Sequence, residues 1–409
     1  MSTGSSTAYA PEVPGAGARP RIQSVDILRG LIMIVMALDH VRDYFHYGAQ
    51  HFDPMDLSQT SAALFLTRWI THFCAPTFML LAGTGAYLQS RRGKSKAEVS
   101  RFLLTRGAWL VVLEFTWVLC LGWKMNFAYD TIFLIVIWAL GVSMMALAGL
   151  IFLPWRVLLA SSTAVILLHN TLDGIRPEQF GALSWLWKVL HVPNVIQPSP
   201  NLTIITGYPL IPWIAVMAAG YCFGRITDLT PEHRRRILFR LGGALTAGFV
   251  VLRGINLYGD PNRWSSQLSL PATIGSFLNC VKYPPSLLYL MMTLGPAILI
   301  LGWLEGVRLK DTNPLIVFGR VPLFYYLLHV PLIHGLAILL GGIRYGRWDF
   351  LLDVPPAFAG PRPGFPDDYG YNLALVYLIW IAVVAILYPA CRWFAALKQR
   401  NRSAVLSYF

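Results

Sequence analysis

The sequence predicts an all-α membrane protein, a polytopic helical bundle of about ten transmembrane helices. Two observations predict this fold class. Hydrophobic residues make up 56% of the 409 residues and charged residues only 13%, and the mean hydropathy is +0.54. Soluble domains carry about a quarter charged residues. The apolar residues also cluster in runs of about 20, the length that a helix needs to cross a bilayer.

Ten segments are predicted to cross the membrane because they are apolar on nearly every face, unlike the amphipathic helices of soluble proteins. They are residues 24–44, 62–89, 103–122, 131–150, 152–169, 205–224, 237–257, 285–304, 315–341 and 372–393. We expect one transmembrane domain over residues 23–394. Residues 1–22 are expected to form a disordered cytoplasmic tail, since they are rich in Ser, Gly, Ala and Pro, and residues 395–409 a basic cytoplasmic tail.

The distribution of Lys and Arg predicts the orientation. With ten spans, the basic linker 91–106, the run 234–236 and the C-terminal tail fall on the same side, which holds about twenty of the 33 basic residues and is therefore cytoplasmic. Both termini are then cytoplasmic. The absence of a cleavable signal favours a bacterial inner membrane. Nucleic acid is not an expected partner, because the positive charge is dispersed between apolar segments.

The first segment carries an unusual set of polar residues. Arg29, Met33, Met36 and His40 recur at helical spacing and predict one stripe about 16 Å long, with a cation at its inner end and an imidazole at its outer end. The stretch LDHVRDYFHYGAQHFDPMDL that ends the segment adds further titratable groups: Asp39, Asp43, His46, His51, Asp53 and Asp56. Two alternatives stay open, a structural Asp26–Arg29 pair and a structural His40 that pairs with Asp43.

Two later segments combine histidine with proline. Pro76 should kink the second helix and free the carbonyl of His72, which is either structural or catalytic. In FGRVPLFYYLLHVPLIHGLAIL, Tyr325 and Tyr326 precede His329 at helical spacing, and Pro331 interrupts the helix after it. Broken helices at membrane depth usually line a cavity.

Signatures of soluble enzymes and of metal sites are missing. The sequence has no GxSxG, GxxxxGK[ST], HExxH or complete GxGxxG motif. The five cysteines form no CxxC pair, and the histidines of the first outer loop lack zinc-ligand spacing, so no metal is expected.

Three motifs resemble a known family. They are SVDILRG (Ser24–Gly30), THFCAPTFMLLAG (Thr71–Gly83) and FGRVPLFYYLLH (Phe318–His329). The first two resemble the heparan-alpha-glucosaminide N-acetyltransferase catalytic-domain family, which has bacterial members, and the third resembles the wider group of transmembrane acyltransferases. The resemblance implies that acetyl-CoA from the cytosol is a co-substrate. Its acetyl group would pass to an extracytoplasmic sugar, glycan or related acceptor.

The resemblance also points to candidate site residues. The essential outer-loop histidine of the lysosomal enzyme falls on His51, and an asparagine eleven places earlier falls on His40, so both histidines are candidates for the catalytic base. From the residues themselves, Asp39 and Asp43 could orient His40 and Asp53 could orient His51, since a carboxylate stabilises imidazolium. The residues predicted to line the path of the substrates are Arg29, His72, Tyr325 and His329. CoA phosphates need cations, and the candidates are Arg91, Arg92, Arg234, Arg235 and Arg236, which the cytoplasmic excess of positive charge also explains.

Two rival functions remain. Intramembrane His, Asp and Glu residues are also typical of a proton-coupled secondary transporter. A non-catalytic membrane scaffold would hold them for structural reasons. The expected partners are membrane lipid and the extracytoplasmic acceptor, and a second copy of the chain (a homodimer) is left open.

Overall fold

The computed structural model describes residues 22–352, 364–401, 403 and 405–408. In this part of the chain, helices dominate. They are α1 Gln23–Phe45, α2 Ala62–Thr71, α3 Cys74–Ser90, α4 Lys96–Leu113, α5 Val136–Leu150, α6 Trp155–Leu168, α7 Ser184–Leu190, α8 Leu210–Phe223, α9 Pro231–Ile255, α10 Leu270–Leu278, α11 Leu287–Leu304, α12 Pro314–Arg320, α13 Pro322–Tyr345 and α14 Leu373–Arg400. A π-helix, Glu114–Trp123, continues α4. Nearly all of the expected N-terminal tail lies outside the described residues.

The predicted fold class, an all-α membrane bundle, is confirmed. Seven helical stretches of the described chain are long and apolar enough to cross a membrane, and the bent pair Trp155–Leu172 and Pro177–Leu190 would make eight. The predicted number of ten also counts α1 and α5. α1 carries five charged residues on both sides of a short apolar run, and α5 has only 15 residues. Since 15 residues rise about 22 Å, the exact number of spans stays a prediction.

Two predicted spans begin as strands. β1 (Thr131–Leu134) pairs in parallel with β3 (Leu202–Thr206), and β2 (Asn194–Ser199) pairs with β3 in antiparallel. The expected helical starts at residues 131 and 205 were therefore wrong. A short apolar run cannot be assigned to helix or strand by its periodicity, and the β-branched residues in these runs favour the strand.

The second predicted helix is broken as expected. α2 ends at Thr71 and α3 begins at Cys74, two residues before Pro76. The carbonyl of His72 accepts a hydrogen bond from the Tyr289 hydroxyl of α11 at 2.8 Å. The prediction that proline frees this carbonyl is confirmed, and a tyrosine from another helix satisfies it.

α1 lies at the centre of the bundle and packs against α2, α3, α11, α12, α13 and α14. Its contact with α12 joins two backbones directly. A Cβ on Gly30 would lie 1.9 Å from the Leu315 carbonyl oxygen, and one on Gly319 would lie 1.9 Å from that of Asp26. Glycine is required at both positions, because no side chain fits between the two helices.

Candidate active site

A cavity of about 620 Å³ occupies the end of the bundle that carries the linker after α3 and the segment after α14. We call it the basic cavity. Its walls come from α1, α3 and the linker after it, α4, α5, α12, α13, α14 and the segment after α14. Five of the lining residues are cations: Arg29, Arg92, Arg106, Arg320 and Lys398. Among the lining residues, Asp26 is the one carboxylate. The volume falls in the range of about 300–1,000 Å³ that small-molecule and cofactor sites occupy.

Much of the remaining lining of the basic cavity is apolar. Met33, Leu103, Leu110, Leu140 and Met144 are among the lining residues. The cavity is therefore amphipathic, because cations and apolar side chains line the same space. This combination suits a long ligand that has an anionic end and a less polar arm.

A second, smaller cavity of about 70 Å³ surrounds His40. We call it the His40 chamber. Its lining residues with polar side-chain groups include Asp39, His40, Asp43, Arg68, Thr71, Trp123, Tyr208, Lys282, Tyr283 and Tyr326. Four residues, Met36, Phe78, Val136 and Tyr326, line both the chamber and the basic cavity. The two spaces thus share a wall, and the chamber adjoins the basic cavity.

The stripe predicted on α1 is confirmed. Arg29, Met33 and Met36 line the basic cavity, and Met36 and His40 line the chamber. The guanidinium of Arg29 donates to the Gly319 carbonyl at 3.1 Å and pairs more weakly with Asp26 at 3.4 Å. The expected Asp26–Arg29 pair therefore exists, and Arg29 faces the cavity as well.

His40 forms no hydrogen bond with a described residue. Its Nδ1 is buried without a partner, and its ring lies 5.4 Å from the Trp123 ring and 5.1 Å from the His329 ring, measured between centroids. The alternative in which His40 is a structural histidine bonded to Asp43 was wrong. A buried imidazole nitrogen that neighbouring residues leave free is available to a ligand.

Asp39 binds arginines instead of His40. One nitrogen of Arg68 lies 2.7 Å from both carboxylate oxygens, Arg42 donates at 2.9 Å and the Thr71 hydroxyl donates at 2.8 Å. Arg42 also donates to Asp43. The expectation that these two carboxylates orient the His40 ring by hydrogen bonds was wrong, because arginines occupy them. Their charges still lie beside the imidazole.

Lys282 adds a cation to the chamber. Its side chain is largely buried, and its ammonium lies 5.1 Å from the centre of the Tyr283 ring. Together with Arg42 and Arg68 it gives three cations against the two carboxylates Asp39 and Asp43. The charged groups beside His40 therefore carry an excess of positive charge.

His51 lies away from both cavities. It is exposed in the turn after α1, and its ring rests on Tyr47 with 4.0 Å between centroids. Asp53, its expected carboxylate partner, accepts from the Met55 backbone instead. His46 caps the 3-10 helix Tyr47–Gln50 by accepting from the Gly48 backbone at 2.9 Å. The structure thus brings His40, and neither of these histidines, to the cavities.

Only one of the residues predicted to line the substrate path lies at one of the two cavities. Arg29 lines the basic cavity, whereas His72, Tyr325 and His329 line neither cavity. His329 is buried next to His40, and its Nδ1 lies 2.6 Å from the Tyr326 carbonyl oxygen. The neighbouring tyrosine, Tyr326, occupies the shared wall. From helical spacing alone, the sequence could not decide which of the two tyrosines faces the path.

Four of the five arginines predicted to meet CoA phosphates lie elsewhere. Arg92 lines the basic cavity, but Arg91 pairs with Asp228 at 2.6 Å and Arg234 with Glu305 at 2.5 Å. Arg235 rests on Phe239, and Arg236 does not line the cavity. The prediction missed Arg106, Arg320 and Lys398. Arg320 lies inside the quoted motif FGRVPLFYYLLH, which was a usable signal.

Among the described residues, no three His, Cys, Asp or Glu side chains lie together in a way that could hold a metal ion. A comparison with curated proteins found no match. The family model described as heparan-alpha-glucosaminide N-acetyltransferase, catalytic, matches residues 21–255, more than half of the chain. The matched part contains Arg29, His40, Asp39 and Arg68, and the family uses acetyl-CoA as its acetyl donor. The chain therefore belongs to the heparan-alpha-glucosaminide N-acetyltransferase catalytic family of membrane acetyltransferases.

Proposed function

We propose that this protein transfers the acetyl group of cytosolic acetyl-CoA to a hydroxyl or amine of an extracytoplasmic glycan or related acceptor, with His40 as the base. One observation carries the proposal. The basic cavity and the His40 chamber share a wall, so a donor held by the cations of the first space can present its thioester in the second.

The basic cavity supports acetyl-CoA as the donor. CoA has phosphates at one end and a long pantetheine arm that ends in the thioester. Arg92, Arg106, Arg320 and Lys398 could meet the phosphates, and each charge-assisted hydrogen bond contributes about 1.5–3 kcal/mol. The apolar walls suit the arm, and the distance from Arg29 to His40 along α1 is about 16 Å.

The His40 chamber supports acyl transfer. An acceptor that enters from the outer side meets His40, whose buried Nδ1 has no partner among the described residues. Histidine titrates near neutral pH and is the commonest general base. It would remove the acceptor's proton as the acceptor attacks the thioester carbonyl and return a proton to the departing thiolate. The carboxylates of Asp39 and Asp43 offset part of the repulsion between the transient imidazolium and the neighbouring cations.

The test compares His40→Ala with His51→Ala in purified protein. Acetyl-CoA binding is measured by titration calorimetry, and CoA release is followed with a thiol reagent in the presence of glucosamine as the acceptor. We expect His40→Ala to bind acetyl-CoA normally and to lose about 10²–10⁴-fold in turnover, the usual effect of a lost general base. His51→Ala should remain active. Failure of the wild-type protein to bind acetyl-CoA would reject the proposal and favour the proton-coupled transporter.

A further inference from the structure

The hydroxyl of Tyr326 is not explained by the proposed function. Of the four residues in the wall between the basic cavity and the His40 chamber, Tyr326 has the one side chain that can donate a hydrogen bond. The residue is 4% exposed, and its Oη is buried without a hydrogen-bond partner among the described residues. Native proteins leave few buried hydroxyl groups unpaired, so a specific role should exist for this one.

We propose that Tyr326 is a catalytic residue that donates a hydrogen bond to the carbonyl oxygen of the thioester as acetyl transfer proceeds. The inference rests on the proposed function, because it assumes that the thioester reaches His40 past the shared wall. The Tyr326 side chain lies along this route. Its hydroxyl hydrogen turns about the Cζ–Oη bond and can follow the carbonyl oxygen as its geometry changes.

The chemistry gives this donor a task. In the first step the acceptor oxygen or nitrogen bonds to the carbonyl carbon, the π electrons move to the carbonyl oxygen, and the acceptor's proton passes to His40. In the second step the carbonyl re-forms, the C–S bond breaks, and the CoA thiolate takes the proton from the imidazolium. Negative charge on the carbonyl oxygen is greatest between the two steps. A hydrogen-bond donor already held at that position stabilises it without reorganisation.

The other polar groups near the junction are less suited to this role. Asp39 and Asp43 carry carboxylates, which when ionised can only accept hydrogen bonds. Arg68 is engaged by Asp39 at 2.7 Å. Lys282 lines the chamber but not the basic cavity. Tyr326 lies on both sides.

The preceding residue supplies a matched control. The Tyr325 hydroxyl is also buried without a partner among the described residues, but the side chain lines neither cavity. The Tyr325 ring packs on His329 with 5.5 Å between centroids, a contact that phenylalanine would preserve. Tyr325→Phe and Tyr326→Phe therefore remove the same atom from two adjacent buried positions, and only the second should alter the reaction.

The experiment measures steady-state CoA release with acetyl-CoA and glucosamine for full-length wild type and both variants. Melting temperatures and acetyl-CoA affinities are measured on the same samples. We expect kcat of Tyr326→Phe to fall by about 10²–10³-fold, the typical effect of removing one oxyanion donor. Its KM for acetyl-CoA and its melting temperature should stay near the wild-type values, and its pH profile should keep its shape because His40 is unchanged. Tyr325→Phe should resemble the wild type in all of these measurements.

Three results would overturn the inference. They are equal kcat values for the two variants, a change in KM without a change in kcat for Tyr326→Phe, and a shifted pH profile in that variant. If the wild-type protein releases no CoA while it binds acetyl-CoA, the proposed acetyl transfer itself fails, and the role of Tyr326 falls with it. If the wild type is active and only the Tyr326 result differs from expectation, the proposed function stands and this inference alone is rejected.

Discussion

Replacing Gly319 with alanine should separate α1 from α12. The new Cβ would lie 1.9 Å from the Asp26 carbonyl oxygen, and real Cβ contacts do not fall below 3.0 Å, so a shift of at least 1.1 Å is needed. Both partners belong to backbone, and no side chain can turn away to make room. Overpacking of this kind costs about 1–3 kcal/mol, and alanine recovers up to about 1 kcal/mol through its helix propensity. We expect a net destabilisation of about 1–2 kcal/mol.

The Gly319→Ala substitution should also weaken the binding of acetyl-CoA. Arg29 donates to the Gly319 carbonyl at 3.1 Å and lines the basic cavity, so separation of the helices displaces its guanidinium. Loss of one charge-assisted contact, about 1.5–3 kcal/mol, corresponds to at least a tenfold rise in the Kd of acetyl-CoA.

Titration calorimetry and thermal unfolding in detergent would measure both effects. Gly335→Ala in α13 is the matched control, because nothing lies within 4 Å of its added Cβ. The control should bind acetyl-CoA normally and melt at the wild-type temperature or above. If Gly319→Ala behaves like this control, α1 and α12 do not make the described backbone contact, and the position assigned to Arg29 is wrong.

Three further predictions concern charge. The double variant Arg320→Gln/Lys398→Gln should bind acetyl-CoA at least tenfold more weakly than the wild type in the same titration, whereas Arg235→Gln/Arg236→Gln should bind it normally. Equal effects of the two double variants would mean that these four residues act only as signals of membrane orientation. Asp39→Ala should lower the free energy of unfolding by about 3–5 kcal/mol, because two buried arginines lose a carboxylate, and an unchanged urea midpoint would contradict this. Burial and, to a smaller extent, the charge of Arg42 lower the pKa of His46. The unfolded chain therefore binds more protons than the folded protein near and below about pH 6.5. The free energy of unfolding should consequently rise between about pH 5 and pH 7. His46→Asn, whose amide oxygen can still accept from Gly48, should reduce that rise in melting temperature, and an identical rise in both proteins would exclude His46 as its source.

The local part of the site could be predicted from the sequence. The stripe from Arg29 to His40 depends only on helical periodicity within α1, and the break near His72 depends only on Pro76. The family motifs lie in the same regions. Both predictions agree with the structure because they need no knowledge of which helices become neighbours.

The part of the site that several helices build together could not be predicted from the sequence. Arg92 comes from the linker after α3, Arg106 from α4, Arg320 from α12 and Lys398 from α14. Only the packing of these elements brings the four cations to one cavity. Clustering in sequence favoured Arg234–Arg236 instead, but a run of positive charge reports membrane orientation as readily as a ligand. Similarly, counting from the motif placed His51 in the site, whereas the turn after α1 leaves it exposed.

The contact between the first helix and the late helices has a consequence for biosynthesis. About 270 residues separate the end of α1 from the start of α12, and at about 5–20 residues per second their synthesis takes roughly 15–50 s. Each uncompensated charge at the centre of a helix in lipid costs at least about 2.5 kcal/mol during this interval. Asp39 and Asp43 can meet Arg42 at once and Arg68 soon afterwards, so the hairpin of α1 and α2 can enter the bilayer with these charges balanced. The ion pairs beside His40 would thus serve membrane insertion well before the ribosome has made the residues that complete the site.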